Sequence, residues 1–123
     1  MVNSQLIDLL QQFTPETLRE LQLFVASPYF NRGVFSREAA SLLAFILDAA
    51  PEYPAVRLER GAVYAAVFPG MPVVEGKLDK VMSELHKLTK EFIAVHRYLQ
   101  ADNEFQRHLD LAVFYRDHDL DNR

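Results

Sequence analysis

The sequence predicts an all-α chain of five or six helices, with the last helices long. Three observations carry this. Apolar residues recur at three- and four-residue spacing along nearly the whole chain. Capping residues and prolines punctuate those runs. No segment offers a convincing strand: VYAAVF is the nearest, but it has alanines in its middle and no partner strand.

The elements follow in order. Leu6, Ile7, Leu10 and Phe13 share one face of a first helix, with Asn3 or Ser4 as its cap. Thr14-Pro15-Glu16 opens the second, joining a capping hydroxyl, a proline at the first helical position and an early acid. Leu18, Leu21 and Val25 form its stripe with Phe24 beside it, and Pro28 makes Ser27 its exit. Ser36 is the expected cap of a third helix, AASLLAFILDAA, which is apolar nearly all round and so belongs at the centre. Pro51 and Pro54 bound a loop. A fourth helix spans about 58–68, ended by Pro69-Gly70.

The fifth helix runs from about 75 to 99. Leu78, Val81, Leu85, Leu88, Phe92, Val95 and Leu99 form its stripe, widened by Met82 and Ile93. Its repeat breaks at residues 101–104, either as a register shift within one long helix or as a boundary where Asp102 or Asn103 can cap a sixth helix with Phe105, Leu109, Ala112 and Val113 as its stripe. The predicted core is Leu42, Leu43 and Ile46 with the helix-five stripe.

Composition bounds the function. The chain has 123 residues, half of them hydrophobic and 24% charged, which fits one helical domain over 1–123. It has no cysteine, so disulfides and thiolate metal sites are excluded. That suits a cytoplasmic location. No apolar run reaches the roughly 20 residues that span a bilayer, and no signal peptide is visible. A net charge of −4 argues against phosphate-driven nucleic-acid binding, though not against a local basic face. The last residues, HLDLAVFYRDHDLDNR, stop shortly after an apolar stripe. The expectation is that helix six buries Leu109 and Val113, and that the chain is the N-terminal part of a longer helical protein.

No residue pattern points to catalysis, a cofactor or a metal. The histidines, His86, His96, His108 and His118, lie at no spacing that clamps a metal on a helix. Asp117, His118, Asp119 and Asp121 are ligand types, but their spacing matches no calcium loop and reads as a solvated polar end. His86 and His96 read as boundary residues of the helix-five stripe. No serine elbow and no glycine-rich phosphate loop is present. An enzyme assembled from long-range contacts is the third-ranked reading.

Two surfaces carry a functional reading. Lys77, Lys80, Lys87 and Lys90, with Ser83 between them, lie opposite the Leu78 stripe. Following RGAVYAAVFPG, they suggest a helix-turn-helix-like transcription-regulator module. Asp79, Glu84 and Glu91 dilute that face, no arginine offers a bidentate guanine contact, and no β-wing follows. A solvated lysine–glutamate face is the plainer reading. The second surface is SPYFNR, residues 27–32. Tyr29, Phe30 and Arg32 are interface hot-spot types. The same stretch serves as a corner between helices two and three. Asn31 and Gly33 would supply left-handed backbone, and Phe35 a hydrophobic staple.

LQLFVASPYFNR, AVYAAVFPG and KLDKVMSELHKLTKEFIAVHRYL together resemble a family of uncharacterised helical proteins of Bacteroidetes-type bacteria. The resemblance covers about residues 21–99. It implies a helix ending in a SPYFN corner, a helical hairpin with FPG, an MSxLxKL helix, and further helices beyond. It implies no activity, and no site carries over. The sequence is thus read as a non-catalytic helical interaction or scaffold domain. Its partner would be a protein or its own C-terminal continuation, and no membrane is expected.

Overall fold

Thr14 shows how closely local chemistry sets the elements. Its Oγ1 accepts the Thr17 amide at 3.2 Å, and Pro15 opens the helix that follows. In the computed structural model, which describes residues 4–101 and 104–118, six helices follow one another: α1 (Ser4–Gln11), α2 (Pro15–Ala26), α3 (Ser36–Leu47), α4 (Arg60–Val67), α5 (Lys77–Gln100) and α6 (Glu104–Asp117). No strand occurs among the described residues. The chain divides into two compact units, Met1–Phe92 and Ile93–Arg123.

The first unit is built around α3. Its Ala39, Leu42, Leu43 and Ile46 are buried, and it packs against both α2 and α4. Leu6 and Leu10 of α1, Leu21, Phe24 and Val25 of α2, and Val63, Tyr64 and Val67 of α4 complete the core with the α5 stripe from Leu78 to Phe92. One polar residue hides in that stripe. Thr89 is fully enclosed, and its Oγ1 donates to the Leu85 carbonyl at 2.8 Å, so the hydroxyl is satisfied inside its own helix.

Several helix ends differ from the sequence reading. Ser36 is the first residue of α3 and not its cap; Phe35 holds that place and offers no side-chain bond. Phe35 instead turns its ring edge-on to Phe68, with centroids 6.5 Å apart. Helix α4 begins at Arg60 and not near 58, because the Glu59 carboxylate accepts the Gly61 amide at 3.2 Å and caps it there. Helix α5 begins at Lys77 and not near 75. Gly76 has φ +82°, a left-handed turn that only glycine makes at little cost. The caps expected at Asn3, Asp102 or Asn103 lie outside the described residues.

The α4–α5 connection is tied to the core by one hydroxyl. Tyr64 Oη donates to the Pro72 carbonyl at 2.9 Å and accepts the Val74 amide at 3.0 Å. Arg60 reaches Asp79 at 2.9 Å from α4 to α5. The pair is solvated, so its share of stability is small, about 0–1 kcal/mol.

The second unit holds the end of α5 and all of α6. None of the α6 residues is buried. Leu109 and Val113, expected to be covered, are exposed. Helix α5 ends at Gln100, Ala101 is a bend, and α6 starts at Glu104.

Candidate functional site

The chain leaves α2 at Ser27 in extended conformation. The Asn31 amide donates to the Ser27 carbonyl at 2.9 Å, and the Tyr29 amide to Ser27 Oγ at 3.3 Å, closing a tight corner. Asn31 then locks it. Its side chain is buried, and Nδ2 donates to the Val25 carbonyl at 2.8 Å and the Ser36 carbonyl at 2.9 Å. One amide thereby joins the last turn of α2 to the first residue of α3. Neither Asn31 nor Gly33 has the left-handed backbone expected from the sequence. The asparagine is needed for its two donors, and the glycine for want of a side chain.

The two corner aromatics do different work. Phe30 stacks on Phe24 at 4.3 Å between centroids, and Phe24 meets Phe92 edge-on at 5.5 Å. Tyr29 points outward, 69% exposed against 38% for Phe30. The Arg32 guanidinium carbon lies 4.8 Å from the Tyr29 ring centroid, a cation–π contact at the surface. Tyr29 and Arg32 thus form the outer face of the corner, while Phe30 closes the core beneath it.

Gly33 brings the corner against α5. A Cβ built there would lie 2.7 Å from Glu84 Oε2 and 2.8 Å from Oε1. A pocket of about 190 Å³ opens beside this contact, lined by Phe30, Arg32, Gly33, Glu84, Leu88 and Glu91, with Asn31 and Lys87 completing it. A wider depression on the other side of Glu84 is lined by Val34, Phe35, Asp79, Lys80, Ser83 and Glu84. The corner and the outer face of α5 thus meet at Glu84, which lines both depressions.

The lysines of that face are not equivalent. Lys80, Lys87 and Lys90 are exposed, as is Ser83. Lys77 is half-buried, its Nζ lying 4.5 Å from the Phe68 ring centroid. Asp79 is taken up by Arg60. Glu84, which the sequence reading counted only as a diluting charge, lines both depressions.

His86, half-buried on α5, titrates below its ordinary range because burial disfavours the imidazolium, with a further push from the Lys90 charge. In the unfolded chain it titrates near 6.5. Its contribution to stability is therefore complete above that pH and is lost as the pH falls through it towards the lower folded value. The melting temperature is expected to fall from pH 7.5 to pH 5.5, and His86→Gln to flatten that interval. An unchanged slope in the variant would assign the effect elsewhere.

No group of three or more histidine, cysteine or acidic residues able to hold a metal occurs among the described residues. Asp119 and Asp121 of the acidic tail lie outside them. His118 Nδ1 is 2.8 Å from the Phe114 carbonyl at the end of α6. No described helix is long and apolar enough to cross a membrane. No family model, curated protein or solved structure matches this chain.

Proposed function

We propose that this chain is a non-catalytic, cytoplasmic, helical interaction or scaffold domain that binds a protein segment in the groove between the 27–35 corner and α5. The observation that carries the reading is the outward Tyr29–Arg32 pair, whose Arg32 also lines a pocket. Tyrosine and arginine are among the residue types in which binding energy concentrates at interfaces. The groove offers both halves of such a surface: apolar Phe30, Val34 and Leu88, and charged groups of both signs. The regulator-like reading of the Lys77, Lys80, Ser83, Lys87 and Lys90 face is less well supported. Lys77 is engaged by Phe68, and Glu84 and Glu91 interrupt the positive surface.

A photo-crosslinking residue in place of Tyr29 tests the proposal in native cells, with the same residue at Val56 as control. Val56 is highly exposed and lies outside the groove. A discrete protein adduct from position 29 and none from position 56 is expected. Equal labelling from both would reject the reading. Tyr29→Ala is expected to abolish partner binding while moving the melting temperature by no more than about 2 °C, since exposed positions contribute little to stability.

A further inference from the structure

We infer that the groove between α2 and α3 is a second docking surface, and that it receives an amphipathic helix of a partner protein carrying an acidic residue at one end of its apolar face. The inference goes beyond the corner reading and stands without it. On α2, Arg19, Gln22, Leu23 and Ala26 follow one another at three- and four-residue spacing and so share one side of the helix. Ala40 and Leu43 of α3 face them across a depression of about 530 Å³, with buried Val25 and Leu43 at its floor. Leu23 stands on its rim, 73% exposed. The α3 wall is apolar on two sides. Ala39, Leu42, Leu43 and Ile46 face the core, while Ala40, Ala44 and Leu47 run along a second side at four- and three-residue spacing. Ala44 is exposed there, and the other two are half-buried. A helix body this apolar is normally covered on every side.

The walls select a helix as the occupant. Both are α-helices whose main-chain groups are bonded along their length, so an extended segment laid in the groove would find no backbone partners. A helix brings its own bonds. The short side chains of Ala26 and Ala40 let a third helix approach closely, and Leu23 gives it a ridge to pack against. The lining selects the charge. Arg19 is its only ionisable group. It is exposed and makes no ion pair among the described residues, not even with Glu16 one turn before it. An apolar face lying along Leu23, Ala26 and Ala40, with a carboxylate at the Arg19 end, matches the groove in both respects. A basic residue at that end would meet a like charge.

The probe is a hydrocarbon-stapled helix with leucines along one face and a single glutamate at the end of that face, titrated into the full chain and followed by backbone amide shifts. The same helix with lysine in place of the glutamate is the control. The glutamate helix is expected to give saturable shifts at Leu23, Ala26, Ala40 and Leu43. The lysine helix should bind about fivefold more weakly, the scale of one exposed ion pair. Arg19→Glu should reverse that preference, and Leu23→Ala should weaken both helices about tenfold. Both positions are exposed, so each variant should keep the fold, which thermal unfolding checks. No saturable shift, equal binding of the two helices, or an unreversed preference in Arg19→Glu overturns the inference. Shifts centred on Tyr29 and Glu84 would move the helix to the corner and overturn it too. So would Leu23 and Ala40 resonances that shift with protein concentration in the absence of any added helix, which would assign the groove to a second copy of the chain.

Discussion

Asn31→Leu is expected to destabilise the first unit by about 2–4 kcal/mol, lowering the melting temperature on the order of 10 °C. The side chain is of similar size, so packing alone would predict little. The loss comes from the Val25 and Ser36 carbonyls, which Asn31 Nδ2 now serves at 2.8 Å and 2.9 Å. Removing the donor leaves both acceptors at a part-buried junction with nothing to bond. Asn31→Asp separates the donor from the shape. At neutral pH the introduced carboxylate faces two carbonyl oxygens, so its folded pKa rises above the ordinary value near 3.9. The defect should therefore be largest at pH 7 and shrink as the pH falls through that raised value, where the neutral acid can donate one bond. Melting curves at pH 7 and pH 4, each against the unsubstituted protein, measure it. A defect that does not change with pH would mean that the two carbonyls are not what Asn31 serves.

Phe24→Ala should cost about 3–5 kcal/mol in denaturant unfolding. Phe24 is buried between Phe30 and Phe92, so the substitution removes the middle ring of three and leaves a cavity. Phe30→Ala should cost less, about 1–2 kcal/mol, because that ring is already partly exposed. Combined, the two should fall short of additivity by about 0.5–1.5 kcal/mol, the coupling of a stacked pair. Strict additivity would show that the rings act independently and that Phe30 is not a lid on the core.

These two residues show where the sequence could be read and where it could not. Periodicity located α2, α3 and α5, and correctly assigned Leu42, Leu43, Ile46 and Leu85 to the core, because a repeat of 3.6 survives in any single chain. Thr14 and Pro15 gave the start of α2 for the same local reason. Thr89 was invisible, since a threonine in an apolar stripe looks like a gap until its bond to Leu85 is seen. The corner was recognised as a corner, but its mechanism was misassigned. Backbone freedom is a property of residue type, whereas the Asn31 bonds and the Gly33–Glu84 contact depend on which distant groups arrive. Tyr29, Phe30 and Arg32 were singled out by type alone. Only the fold divides them into an outward pair and an inward ring, and only the fold brings Glu84 to them.

Phe92 is the last buried residue of α5, although the helix continues to Gln100. One continuous run of backbone bonds thus belongs to two regimes of opening. Amide protons from Leu85 to Phe92 exchange with solvent only when the core of the first unit comes apart. Those of α6, which has no buried residue, exchange through fraying that leaves the core untouched. In deuterium oxide, the amides of Leu85 to Phe92 should retain their protons long after those of α6 have lost theirs.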